Sequence, residues 1–199
     1  MDGISALDCL AQWQPLNFSL INDYVGAHCY QGLMPPQSIE PWIEKGRAYL
    51  SQNPDLEPGA AVAFLGHHGY TLMRNGRPAE ALKLLEDSCQ PRRRQLAHPR
   101  TVSRALADLA DVHRALGNRS QALQSLDEAE SLQLAQDFEG DLADFALTYR
   151  AKLEPDFDRA RALLAEAKAI QTGLGNGMGE ARTLLLESRL RRDIAGAAL

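Results

Sequence analysis

Four short stretches of the sequence gather side chains whose types could support chemistry. His67-His68 is the first, since imidazole is the commonest protein ligand of a metal ion. Neighbouring helical residues point about 100° apart, so the two rings cannot face one ion. Neither has a histidine or an acid four residues on, and the spacing favours a surface and packing pair. His28-Cys29 suggests an activated thiol, but no acid close in sequence orients the imidazole, which favours a partly buried cysteine. "QPRRRQLAHPR" (90–100) concentrates Arg92, Arg93, Arg94, His98 and Arg100. This is a candidate anion or phosphate patch. The competing reading is a solvated helix end, where cations suit the C-terminal dipole. "GLGNGMG" (173–179) is glycine-rich, yet it follows a helix and lacks the Lys-Ser/Thr of a phosphate loop, so it reads as a turn. No stretch assigns a catalytic residue, a metal ligand or a cofactor, and the expectation is a protein that is not an enzyme.

Such side chains must be carried by elements, and the elements repeat. "RNGRPAEALKLL" (74–85) is an Asn-Gly-x-Pro break followed at once by an amphipathic helix, and "ALGNRSQALQSL" (115–126) writes the same corner again. After each break Ala81, Leu85 and Ser88 recur as Ala122, Leu126 and Ala129, then as Ala160, Leu164 and Ala167. Each triplet has i, i+4, i+7 spacing and lies on one helix face. The registers differ by 41 and then 38 residues. The helix before each break repeats as well: Leu65, Gly69 and Leu72; Leu106, Leu109, Ala110 and His113; Leu147, Thr148 and Ala151. Gly76 and Gly117 suit a left-handed helix end, Pro78 a first helical turn, and Ser120 and Asp156 a cap. Pro155 stops the third copy, and a fourth begins at "LGNGMGEARTLLLESRLRRDIAG" with Gly196 as its expected break. Small residues at Gly69, Ala110 and Ala122 let paired helices approach closely.

The stretches 65–88, 106–129 and, with Asp144 where a large apolar residue is expected, 144–167 resemble the tetratricopeptide repeat family. That family's usual period is about 34 residues. The longer period here is similar to the branch found in bacterial signalling proteins and regulators and in kinesin light chains. The resemblance implies an all-α, right-handed superhelical solenoid of about ten helices. It divides the chain into residues 1–58, a helical cap or divergent repeat, and 59–199, with repeats near 59–97, 98–137, 138–176 and an incomplete 177–199. It also implies that the first helix of each pair lines a concave groove. Carried over, the groove-facing residues are Gly66, Tyr70 and Met73, then Ala107, Asp111 and Arg114, then Phe145, Tyr149 and Lys152, with Arg189 extending the row. This amphipathic lining suits an extended peptide or a partner helix. No asparagine lies in the first helices, which disfavours the family's carboxylate-gripping mode.

Composition bounds the rest. Apolar residues form 45% of the chain and aromatics 6%, a balance that favours helix over sheet. The net charge of −5 argues against a nucleic-acid binder, and no apolar run is long enough for a membrane span. Three widely spaced cysteines, Cys9, Cys29 and Cys89, suit reduced thiols in the cytoplasm. Asp2 and Asp8 with no basic segment are unlike a secretory leader. The expected function is a non-catalytic protein- or peptide-binding scaffold with no cofactor. The alternatives are a sensor or regulatory module of a bacterial signalling or transcription regulator, and an enzyme with its site in the acidic N-terminal third. The sequence stops where the second helix of this repeat should begin, so Leu184, Leu185, Leu186 and Leu190 are expected to have cover mainly on the side of the preceding repeat. A homo-oligomer through the C-terminal repeat, or a downstream segment, would supply it.

Overall fold

The computed structural model describes residues 18–31, 39–53, 58–135 and 143–197, and every regular element among them is a helix. In chain order these are α1 (Phe18–Gln31), α2 (Glu40–Gln52), α3 (Pro58–Arg74), α4 (Pro78–Ser88), α5 (Pro91–Leu96), α6 (Pro99–Ala115), α7 (Arg119–Ala135), α8 (Ala143–Leu153), α9 (Phe157–Gly173) and α10 (Gly177–Ala197). The arrangement is repeat-like. Helices α3 and α4, α6 and α7, and α8 and α9 pair as hairpins, while α1, α3, α6 and α8 form a row in which each touches the next. No described helix is long and apolar enough to cross a membrane.

The corners follow from the residues that write them. Gly76 and Gly117 take φ of 73° and 80°, where a side chain would be strained. Each terminates its helix with two backbone bonds: Arg77 N–H to Leu72 and Gly76 N–H to Met73, repeated as Asn118 to His113 and Gly117 to Arg114. These bonds satisfy carbonyls that a helix end otherwise orphans. The same motif occurs a third time at Gly175, φ 66°, with Asn176 bonded to Gln171. It sits at a different point of the repeat, joining the second helix α9 to the first helix α10. Pro78 opens α4, and Asp156 caps α9 by accepting from Arg159 N–H at 3.0 Å.

Packing is set by the second-helix triplets. All nine of their residues are 0–1% exposed. Ala81 and Leu85 pack with Leu72, Leu109 and Val112; Ala122 and Leu126 with Ala107, Ala110, Tyr149 and Leu153; Ala160 and Leu164 with Ala151. Gly69 lets α3 and α4 close up, since a Cβ there would stand 2.8 Å from Leu85 Cγ. The N-terminal helices are continuous with this core. Phe18, Ile21, Tyr24, Val25, Ile39, Trp42 and Ile43 cluster around Phe64 of α3. Gly46 makes room for that ring, because its Cβ would fall 2.2 Å from Phe64 Cε2.

Three expectations change. Gly196 is itself helical, the next-to-last described residue of α10. Ser120 lies within α7, where Asn118 supplies the carbonyl that starts the helix. The arginine-rich stretch forms its own short helix, α5, rather than the end of α4. Cys9, Asp2, Asp8 and the side chains of His28 and Cys29 lie outside the described residues.

Ala122 tests the register. Ala122→Arg forces a guanidinium into a fully buried hairpin seam, with an expected loss of about 3–5 kcal/mol, the scale of an uncompensated buried charge. The urea midpoint should fall sharply, whereas Leu123→Arg on the neighbouring, partly buried position should cost far less.

Candidate functional site

The row of first helices carries the residues expected to line the groove. Two carboxylates of α6, Asp108 and Asp111, are 1% and 3% exposed. A buried carboxylate without partners is prohibitively costly, so each must be met. Helix α8 meets both. Tyr149 donates its hydroxyl to Asp108 Oδ1 at 3.0 Å, and Lys152 Nζ donates to Asp111 Oδ2 at 2.9 Å. Both pairs span 41 residues, so α8 lies against α6 as a regular ladder of two rungs. From within α6, Arg114 donates to Asp111 Oδ1 at 2.7 Å, and Arg104 Nε lies 3.5 Å from Asp108. The Arg104 guanidinium stacks on Phe145 at 3.5 Å from the ring centre, and Lys152 lies 4.3 Å from the centre of Tyr149.

This network alters the character of the expected groove. Asp111 and Tyr149 are buried, and Tyr70, Phe145 and Lys152 are partly covered. Arg114 is partly covered too, and Met73 packs against the cluster of Leu72, Ala81 and Leu85. Burial alone would push the Asp111 carboxyl up, yet Lys152 and Arg114 hold it below its ordinary value. Burial, with Asp108 and Asp111 close by, pushes the Tyr70 phenol up to about 12. These groups form an internally paired ridge.

Two cavities flank the ridge. One, of about 210 Å³, lies between α8 and α10. Phe145, Tyr149, Lys152 and Arg189 line it, and Tyr70 reaches it from α3. Arg182, Asp144, Gln171 and Thr183 also line it and were not singled out as groove residues. The other, of about 270 Å³, lies between α3 and α6, where Gly66, His67, Arg100, Arg104 and Asp108 meet. A Cβ on Gly66 would touch nothing within 4 Å, so this glycine opens the wall.

Of the four arginines of the candidate anion patch, two have described side chains. Arg94 pairs with Glu128 of α7. Arg100 borders the second cavity, and the side chains of Arg92 and Arg93 lie outside the described residues. His67 and His68 are packed rather than presented: burial, with Arg104 near the first and Arg47 near the second, lowers their pKa values to about 3 and about 4. Compared with family models, curated proteins and solved structures, the chain matches none.

Two aspartates should respond to neutralisation with opposite signs. Asp111 has its pKa depressed, so its ionised form stabilises the fold at neutral pH, and that contribution is lost as pH falls through the folded-state value. Asp144 has its pKa raised, chiefly by burial, with Gln171, Arg104 and the Phe145 backbone offsetting only part. Its ionised form therefore costs stability at neutral pH, and the cost has gone once the pH drops below the ordinary carboxyl value of about 3.9. Asp111→Asn should lower stability at pH 7 by on the order of 2 kcal/mol, the scale of charge-assisted hydrogen bonds. Asp144→Asn should raise the melting temperature by a few degrees at pH 7. In thermal melts followed by circular dichroism, the Asp144 difference should shrink as the pH falls toward 4, whereas the Asp111 difference should persist there and shrink only below the ordinary carboxyl value.

Proposed function

We propose that the chain is a non-catalytic scaffold that binds a protein or peptide partner along a groove made by its first helices. In this reading the helix pairs form a right-handed superhelical solenoid of the long-period tetratricopeptide type, and the row α1, α3, α6, α8 is its inner wall. One observation carries the reading. Tyr70, Phe145, Tyr149, Lys152 and Arg189, chosen from the repeat alone, come from three helices and border one cavity. The mixture of rings, cations and apolar side chains such as Leu185 and Leu186 is that of a recognition surface. The ladder beside it supports a binding rather than a chemical role. Its carboxylates are held by Tyr149, Lys152, Arg104 and Arg114, which fixes the wall and leaves neither Asp108 nor Asp111 poised as a base.

A second copy of the chain is a further partner we propose, on a different face of α10. Leu184 and Leu185 are 49% and 50% exposed. Leu185 borders the cavity, whereas Leu184 is not among its lining residues. An exposed leucine at 184, outside the cavity lining, supports helix-to-helix association on that face.

The two surfaces can be tested separately. Peptides selected by display against the intact chain should lose about tenfold or more in affinity, roughly 1.4 kcal/mol, on Arg189→Glu or Leu185→Glu. Both positions are exposed, so helix content should not change. Undiminished binding by both variants would remove the groove from consideration. For self-association, sedimentation velocity over a hundredfold concentration range should show a coefficient that rises with concentration, and Leu184→Glu should abolish the rise. A wild-type coefficient that stays flat counts against the second copy.

A further inference from the structure

The floor of the cavity between α8 and α10 departs from the repeat. Asp144 stands where Leu106 stands one repeat earlier, 38 residues before, and both are 3% exposed. Gln171 stands at the same spacing from Gln133. In the earlier repeat the polar chain closes on the backbone: Gln133 donates to the Ser103 hydroxyl at 2.8 Å, and that hydroxyl donates to the Ala129 carbonyl at 3.0 Å. In the later one Gln171 donates to Asp144 Oδ2 at 2.7 Å and accepts from the Thr183 hydroxyl at 3.0 Å. Asp144 Oδ1 is left with no hydrogen-bond partner among the described residues. Gly179 lets α10 close on this group, since a Cβ there would lie 3.1 Å from Gln171 Cδ. A leucine would be far less costly to bury than a half-satisfied carboxylate. Polar departures of this kind from a repeat's own pattern mark sites of recognition.

Charge and size narrow what this buried, unpartnered oxygen accepts. Arg104 and Arg182 already act on the Asp144 charge, so an entering ammonium or guanidinium would meet two like charges. An entering carboxylate would meet Asp144 itself. A neutral N–H donor meets neither objection. The space is about 210 Å³. A cavity of about 150 Å³ holds a benzene, and sites for drug-sized ligands run to about 300–1,000 Å³. The volume therefore suits a single side chain. Around it Lys152, Arg182 and Arg189 outnumber Asp144, making this wall cationic in a chain of net charge −5. Lys152 is spent on Asp111, but Arg189 is exposed and in no ion pair among the described residues.

We propose that this cavity is a specificity subsite for an asparagine or glutamine side chain of a bound peptide, whose amide donates to Oδ1 of Asp144 while an adjacent acidic residue lies against Arg182 and Arg189. The subsite rests on the peptide-binding reading above. Gln171 and Thr183 act as positioning residues, holding the carboxylate so that one oxygen stays available. The amide enters past Arg189 and Leu185, both of which are exposed.

The test titrates the intact, isotopically labelled chain with blocked tetrapeptides, Ala-Gln-Glu-Ala and its Leu, Lys and Glu replacements at the second position, followed by two-dimensional NMR. The Gln peptide should bind about tenfold tighter than the Leu peptide, the discrimination expected where an amide meets a partner that would otherwise stay unpaired. Its shifts should centre on Thr183, Gly179 and the Gln171 side-chain amide. Asp144→Leu, which restores the residue type of the preceding repeat, should erase the preference while the fold is kept. Asp144→Asn should erase it too, because a donor then replaces the acceptor, and it guards against an unfolded leucine variant. Arg189→Ala should weaken every peptide by a similar factor. Equal affinity for the Gln and Leu peptides, with shifts still on the groove, would overturn the subsite and leave the groove standing. Shifts absent from the groove for every peptide would overturn both.

Discussion

Two carboxylates buried on one helix constrain the middle of this protein. Asp108 and Asp111 lie one turn apart on α6, nearly inaccessible to water. Neither can be left alone in a low-dielectric interior, so the neighbouring first helix has to arrive with partners in register. Tyr149 and Lys152 do this from α8, also one turn apart. A slip of α8 by a single residue would turn both away and leave the two carboxylates only Arg104 and Arg114 of their own helix. Apolar packing alone would tolerate such a slip more readily, because Ala and Leu faces are interchangeable to within a modest cost. The hairpins supply cohesion, and the ladder supplies the angle and offset at which one hairpin meets the next.

The hairpins themselves were legible because their determinants are local. A left-handed glycine ends a helix wherever it stands, and an alanine at i with a leucine at i+4 faces its partner whatever lies beyond. Hence Gly76, Gly117, Asp156 and the nine triplet positions follow directly from the sequence. Gly196 is helical where Gly76 is left-handed, because glycine only permits a left-handed turn and does not impose one. The repeated Leu-Gly-Asn at 116–118 and 174–176 illustrates the same limit. One copy joins first helix to second and the other joins second to first, with the same hydrogen bonds. Local chemistry fixes the corner, and only the helices on either side decide what the corner connects.

The site was legible in a coarser sense. Repeat arithmetic placed Tyr70, Phe145, Tyr149, Lys152 and Arg189 together, and they do border one cavity. It took them for open groove residues, however, because a helical period says which face a residue occupies and nothing about how near the next helix comes. The partners that cover them, Asp108 and Arg104, sit one turn from the expected positions. Their pairing across 41 residues is a property of packing between repeats. Asp144 did leave a trace, as an acid where the pattern wants a large apolar side chain. Its meaning depends on Gln171 and Thr183, which lie on two other helices.

In the proposed peptide-binding reading, a wall paired in this way would divide the energetics of recognition. Desolvating Asp108, Asp111 and Lys152 is a cost met once, during folding, and a ligand passing over them neither gains nor loses much from their charges. What would remain for such a partner is the unspent capacity at the edges of the ridge: exposed Arg189, the apolar surface of Leu185, and the buried, unpartnered oxygen of Asp144. The cationic edge would act over a distance and accelerate encounter with an acidic segment, an effect that salt suppresses. The buried oxygen acts only in contact and penalises any group that cannot donate to it, an effect that salt leaves nearly untouched. Attraction and discrimination thus fall on different residues of one cavity, and the rigidity of the ladder keeps the second from relaxing to accommodate whatever the first attracts.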